Sequence, residues 1–205
     1  MTDAPEQPLI AVDVVPLTFA GAVLRAGTVT RASAPHAGRE ALPGVLLVSG
    51  ERIRAAALRA LATKAQTTPR WLLPVGTFDR PGRESRQHAI SIAWLAAIAP
   101  EEPGRLHWRD PSAVEDLPFD HAEIVEAAIA QARHHLWSDV TWTRALIGDE
   151  FTGPDALALE TALTGRPAHA GNLQRLLSNL DGLRRSGFES RARRGRPAVV
   201  WRWED

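Results

Sequence analysis

Three sets of residues in this chain have types and spacings that can do chemistry. Glu51 and Arg59 stand eight residues apart, the first in a loop after Leu42-Pro43-Gly44 and the second on an amphipathic run reaching about Gln66. A carboxylate and a guanidinium so placed form an ion pair that fixes the loop on the helix. Asn172, Gln174 and Arg175 share one helical segment, and these side chains read base edges from a helix in the major groove. Arg184 and Arg185, then Arg191, Arg193, Arg194 and Arg196, crowd the stretch that follows and suit phosphates or a narrow minor groove. Other groups carry less. Asp120-His121 sits at the head of a helix and reads as a cap with a polar neighbour rather than a catalytic pair. His134-His135 point in different directions on a helix and make a poor metal site. The chain has no cysteine, which excludes disulfides and thiolate chemistry. Trp94 and Trp108 could stack on a base but read as packing.

Composition sets the frame. The chain has 205 residues, 44% of them hydrophobic, and a formal net charge of zero. That is ample for a packed core and implies no overall electrostatic partner. Charge is nevertheless unevenly spread. Between residues 101 and 126 the acids Glu101, Glu102, Asp110, Glu115, Asp116, Asp120, Glu123 and Glu126 face only Arg105 and Arg109. From residue 165 to 203 arginines dominate, against Asp181 and Glu189. Such a split is more informative than the total. Lys64 is the only lysine. No apolar run approaches a membrane span, and the first residues are polar and acidic, unlike a secretory leader. The expectation is a soluble, cytoplasmic protein without a membrane partner.

The elements that must position these residues follow from periodicity. Residues 1–8 read as a tail. Leu9 to Phe19 predicts a strand, with Pro16 marking an edge or bulge. Ala22 to Arg31 predicts a second strand, and Ser33 to Arg39 a loop. In the helix, Ile53, Ala57, Leu58, Leu61 and Ala65 recur at helical spacing as its apolar face. Trp71 to Phe78 and Ala89 to Ile98 predict strands around a polar turn at Asp79 to Arg86, and Leu106 to Leu117 is irregular. His121 to Trp137 predicts a helix capped by Asp120. These elements suggest an α/β sandwich ending near residue 145. Thr152 caps a helix with Pro154 in its first turn, which stops at Gly165. Ala168 to Leu180 predicts another helix, with Leu173, Leu176, Leu177 and Leu180 inward. Leu183 to Glu189 and Ala198 to Trp203 read as strands flanking the arginine run. Two helices and an arginine-rich hairpin outline a winged helix-turn-helix. The division is residues 1–148 and 149–205.

The loop and helix from Leu42 to Gln66 resemble a Nudix box, the loop–helix–loop that holds metal in nucleoside-diphosphate hydrolases. In that alignment the loop glycine falls on Val45 and the first glutamate on Glu51. The arginine falls on Arg59, the later acids on Ala60, Thr63 and Lys64, and the closing glycine on Gln66. A hard divalent cation needs several carboxylates on one helix face, and Lys64 would repel it. The chain as a whole resembles the Nudix-related transcriptional regulators of NAD metabolism. The resemblance rests on Leu42-Pro43-Gly44, on Arg83-Glu84-Ser85-Arg86 before the Ser91-containing strand, and on Phe119-Asp120-His121. In the tail it rests on Phe151-Thr152, Gly171-Asn172-Leu173-Gln174-Arg175 and Arg194-Gly195-Arg196-Pro197-Ala198. It implies a Nudix-like α/β/α sandwich followed by a winged helix. It further implies a homodimeric repressor of NAD synthesis or salvage genes that binds operator DNA and senses ADP-ribose or a related nucleotide. Arg83 and Arg86 match the family's paired arginines, and an arginine fork suits a diphosphate; surface or subunit ion pairs are the alternative. No catalytic residue, cofactor or box metal is expected, so the chain reads as a non-enzyme. Two other readings remain. One is a Nudix hydrolase drawing on acids outside the box, such as Glu40 or the 115–126 cluster. The other is a nucleotide-binding protein that does not touch DNA.

Overall fold

The apolar run at the start forms β1 (Leu9–Ala20), and it lies at the middle of a sheet rather than at its edge. The computed structural model describes residues 7–189 and 198–204. On one side β1 runs parallel to β6 (Ala89–Ala97), from Leu9 opposite Ala89 to Leu17 opposite Ala97. On the other side it meets two antiparallel partners in turn. These are β4 (Gly44–Leu46) at Ala11 to Asp13, and β2 (Val23–Thr30) at Leu17 to Ala20. The Val14 N–H still donates to the Pro43 carbonyl. Side alternates along a strand, so the nitrogen of Pro16 faces the interval between the β4 and β2 ladders. The proline marks a gap between two short partners, not the expected edge or bulge. Strands β3 (Glu40–Ala41), β5 (Trp71–Phe78) and β7 (His107–Arg109) complete a seven-stranded sheet ordered β3-β2-β1-β6-β5, with β4 beside β1 and β7 beside β2.

Alternation along β1 and β6 divides the core between two faces. Val12, Val14, Ala96 and Ile98 pack under α1 (Ile53–Ala60) and the π-helical turn that continues it (Leu61–Ala65). Val15, Leu17, Ala93 and Leu95 pack on the other face with α2 (His121–His135) and α3 (Val140–Ile147). The fold is thus the expected α/β/α sandwich. Its box helix buries much of the predicted face, shifted toward Ala56 and Ala60. Ala56, Ala57, Ala60, Leu61 and Ala65 are buried, whereas Ile53 is exposed and Leu58 is half-buried. Small side chains let the helix lie close against the sheet. The turn ends at Gln66 in the left-handed conformation, φ 51°. Glycine adopts that conformation most readily, which accounts for the glycine the Nudix pattern has here.

The C-terminal unit contains β8 (Glu150–Thr152), α4 (Gly153–Thr164), α5 (Ala170–Ser178), β9 (Leu183–Glu189) and β10 (Ala198–Trp203). Its antiparallel sheet is ordered β8-β10-β9. Thr152 and Asp155 form the reciprocal capping box at the start of α4, and Gly165 ends that helix with φ 67°. Helix α5 is shorter than predicted. Leu173 and Leu177 are buried and Leu180 packs against the core, but Leu176 is 40% exposed, which corrects its assignment to the inner face. One continuous hydrophobic cluster runs from β1 and β6 through α2 and α3 into α4, α5 and β10. Among the described residues no helix is long and apolar enough to cross a membrane.

Candidate functional site

A cleft of ≈ 440 Å³ opens where β1, the loop into β4, the box helix, the turn before β6 and the start of α2 converge. Its floor is a buried polar network. Asp13 is the one acid in the apolar strand β1, and it faces the α2 side. Ser91 of β6 donates to Asp13 Oδ2 at 2.6 Å. Arg83 donates from Nε and Nη2 to both oxygens of Asp120, each at 2.7 Å, and its Nη2 lies 3.6 Å from Asp13 Oδ2. Burial disfavours the Arg83 charge, but Asp120 and Asp13 outweigh it, and the guanidinium is held above its ordinary pKa. Gly44 borders this floor because a Cβ there would overlap Asp13 Oδ1.

His121 opens α2 and is fully enclosed. The Leu42 N–H donates to its Nδ1 at 3.0 Å, and its Nε2 stands 3.9 Å from Asp13 Oδ1. Burial, the dominant influence, lowers its pKa despite the pull of Asp13 and Asp120. The neutral ring therefore carries its proton on Nε2. The neighbouring Phe119 holds φ at 63°, a conformation L side chains rarely adopt. It packs against His36 and His121, and the Arg31 guanidinium lies over its ring at 4.8 Å.

These positions bear on the expectations for Asp120, Arg83, Arg86 and the Glu51–Arg59 pair. Asp120 occupies the cap position of α2, but its side chain makes no capping hydrogen bond because both oxygens are taken by Arg83. Arg83 lines the cleft with its fork already engaged in a buried pair. The expected alternative of a surface ion pair does not describe it, because its pair with Asp120 is buried. Arg86 is exposed, and its Nε and Nη2 bind Glu84 at 3.1 and 2.9 Å. The expected pair between Glu51 and Arg59 is present. Arg59 donates from Nε and Nη2 to the two carboxylate oxygens at 2.8 and 2.7 Å, and from Nη2 to the Leu46 carbonyl at 2.9 Å. Those hydrogen bonds hold the Glu51 carboxyl below its ordinary pKa. Sequence reasoning missed Asp13 and Arg31. An acid inside an apolar strand was the available signal for the first.

The second candidate surface is on the C-terminal unit. Asn172, Gln174 and Arg175 are exposed on α5, while Leu173 and Leu177 anchor its other face. The helix is capped by His169, whose Nδ1 accepts from the Asn172 N–H at 3.3 Å. Arg184 bonds Glu204 at 3.1 Å. Arg185 donates to Ser178 Oγ at 3.1 Å and lies over Trp201, tying β9 to the end of α5. Arg191, Arg193, Arg194 and Arg196 lie outside the described residues.

Comparisons with known proteins agree with this architecture. No protein-family model matches the chain. An ADP-ribose pyrophosphatase of Methanocaldococcus jannaschii is 26% identical over 104 residues, a stretch covering 48% of this chain and 62% of that protein. Among solved structures, Shewanella oneidensis NrtR complexed with a 27mer DNA matches with a TM-score of 0.78 at 22% identity. That match covers 95% of this chain and 93% of the other. A MutT/nudix family protein from Enterococcus faecalis matches with a TM-score of 0.74 at 19% identity, over 98% and 90% of the two chains. The NUDIX domain of the Shewanella protein complexed with ADP ribose matches 63% of this chain and 94% of its own, with a TM-score of 0.57 at 23% identity. Across both its parts, this chain has the fold of the Nudix-related transcriptional regulator NrtR.

Proposed function

We propose that the protein is a DNA-binding transcriptional regulator whose Nudix-like part senses a nucleotide and does not hydrolyse it. The observation that carries this reading is α5. Its inner face is locked by Leu173 and Leu177, while Asn172, Gln174 and Arg175 are exposed, with no element covering them among the described residues. Such a helix can enter a major groove, with the arginines that follow it on the backbone. The fold likeness to a regulator solved on DNA, and of its NUDIX domain to one solved with ADP ribose, supports the same assignment of roles. ADP-ribose or a related nucleotide is the effector, and genes of NAD synthesis or salvage are the targets. A homodimer acting as a repressor would read a two-fold operator. Against hydrolysis stand Ala60, Thr63 and Lys64 at the positions where the Nudix box has acids.

The test is a fluorescence-anisotropy titration at fixed salt against the protein's own upstream region and NAD-synthesis promoters, with and without ADP-ribose. The expected result is specific binding that ADP-ribose weakens. Arg175→Ala should cost about 1–3 kcal/mol of operator affinity and relax sequence preference. Binding no better than to random DNA at all these promoters would sink the regulator reading. Formation of AMP and ribose 5-phosphate from ADP-ribose in the presence of Mg²⁺ would sink its non-enzymatic half.

A further inference from the structure

The donor set around the box does not fit a divalent cation. Ala60 is fully buried on the inner face of α1 and offers no side-chain oxygen. The Thr63 hydroxyl donates to the Arg59 carbonyl at 2.7 Å. Both carboxylate oxygens of Glu51 accept from Arg59, and one of them also from the Val48 N–H. The acids that line the cleft are engaged too, Asp13 by Ser91 and Arg83, and Glu84 by Arg86. Among the described residues no group of three or more His, Asp or Glu side chains could hold a metal ion.

What stands at the site instead is positive charge. Lys64 lines the ≈ 440 Å³ cleft and an adjoining one of ≈ 630 Å³, and Arg31, Ser33 and Gly44 are likewise common to both. The second cleft also holds Arg105, and among the described residues no acid lines it. Arg105 is fixed beside the box helix by its own backbone, whose N–H donates to the Ala65 carbonyl at 2.7 Å. Gly104 permits that approach, since a Cβ there would lie 2.9 Å from the same carbonyl. Among the described residues neither Lys64 nor Arg105 has a carboxylate within ion-pair distance. Uncompensated cations in a shared concavity focus potential onto an anionic ligand.

We infer that the joined clefts bind the phosphates of a nucleotide without a divalent cation, with the Lys64 ammonium and the Arg105 guanidinium supplying the charge a metal would bring. The inference rests on the cleft being the effector site and adds the means by which the phosphates are held. Lysine is suited to this role as a compact charge on a flexible stem, and arginine as a fork.

Calorimetric titration of the full chain with ADP-ribose, and separately with inorganic pyrophosphate, tests it in EDTA and in Mg²⁺. The expected affinity is the same in both. Lys64→Ala should weaken binding on the order of tenfold or more and Lys64→Glu further, whereas Lys64→Arg retains it. Lys64 is exposed, so these variants fold, as far-UV circular dichroism will check. Binding that needs Mg²⁺ overturns the inference and leaves the effector reading standing. Metal-free binding indifferent to Lys64→Ala overturns the role of Lys64. Failure of both probes in both conditions overturns the inference together with the effector half of the proposed function. The DNA titration without ligand then decides the regulator half independently.

Discussion

Arg83 shows where residue-level inference from a sequence stops. Its type and its place before the central strand were readable, and so was its membership of a cleft. Its role was not, because its partner Asp120 is 37 positions away and no local pattern reports a contact of that range. The Glu51–Arg59 pair, by contrast, joins one loop to the helix beside it, and the resemblance to the Nudix box anticipated it. His121 is the residue in this network whose protonation can be read out as stability. Its folded-state pKa is depressed below 6.5, chiefly by burial, so below that value the unfolded chain binds more protons than the folded one. Stability must then be fully present above about pH 6.5 and fall as pH drops through the region between the unfolded and the folded pKa. Protonation would also place a hydrogen on Nδ1, against the Leu42 N–H. Urea denaturation between pH 7 and pH 5.5 should show this loss, and His121→Asn should flatten it. An equal slope in the variant would assign the loss to other groups.

At the scale of elements, self-contained signals were readable and borrowed ones were not. The strands β1, β2 and β6 have long apolar patterns of their own. Strands β3, β4, β7 and β8 are two or three residues long and exist because a neighbour offers a ladder, so nothing in their own residues distinguishes them from loop. Helix α3 was missed for a related reason. Its sequence VTWTRALI is rich in β-branched and aromatic residues, and its helicity comes from packing that buries Trp142, Leu146 and Ile147. Helix α4 is the opposite case, because its start is written into Thr152-Gly153-Pro154-Asp155. The Asp155 N–H donates to Thr152 Oγ1 at 3.3 Å, and the Thr152 N–H donates to Asp155 Oδ2 at 2.9 Å. Replacing Thr152 with Ala should cost about 1 kcal/mol, measured as a shift of the denaturation midpoint at constant slope. An unchanged midpoint would mean that packing of α4, not its cap, sets where the helix begins.

For the whole molecule, the sequence suggested two parts and the packing joins them. Trp137 at the end of α2 stacks near Phe151 of β8, 6.0 Å between centroids, and Phe151 near Trp203 of β10, 6.1 Å. The Trp137 indole donates to Glu160 of α4 at 3.2 Å. The same α2 begins at the Asp120–Arg83 pair on the cleft floor. Helix α2 with the residues that flank it therefore connects the candidate effector site to the root of the sheet that backs α5, the kind of link a two-state switch would require. A shared core should also open as a unit. Native-state hydrogen exchange should give the most protected amides of β6 and β10, such as Leu95 and Trp201, the same opening free energy. Phe151 is 3% exposed, and Phe151→Ala should lower both values together by about 3–5 kcal/mol. If β10 opened more easily than β6, or if the substitution lowered β10 alone, the two parts would be independently stable. The path from cleft to α5 would then have to run through something other than this core.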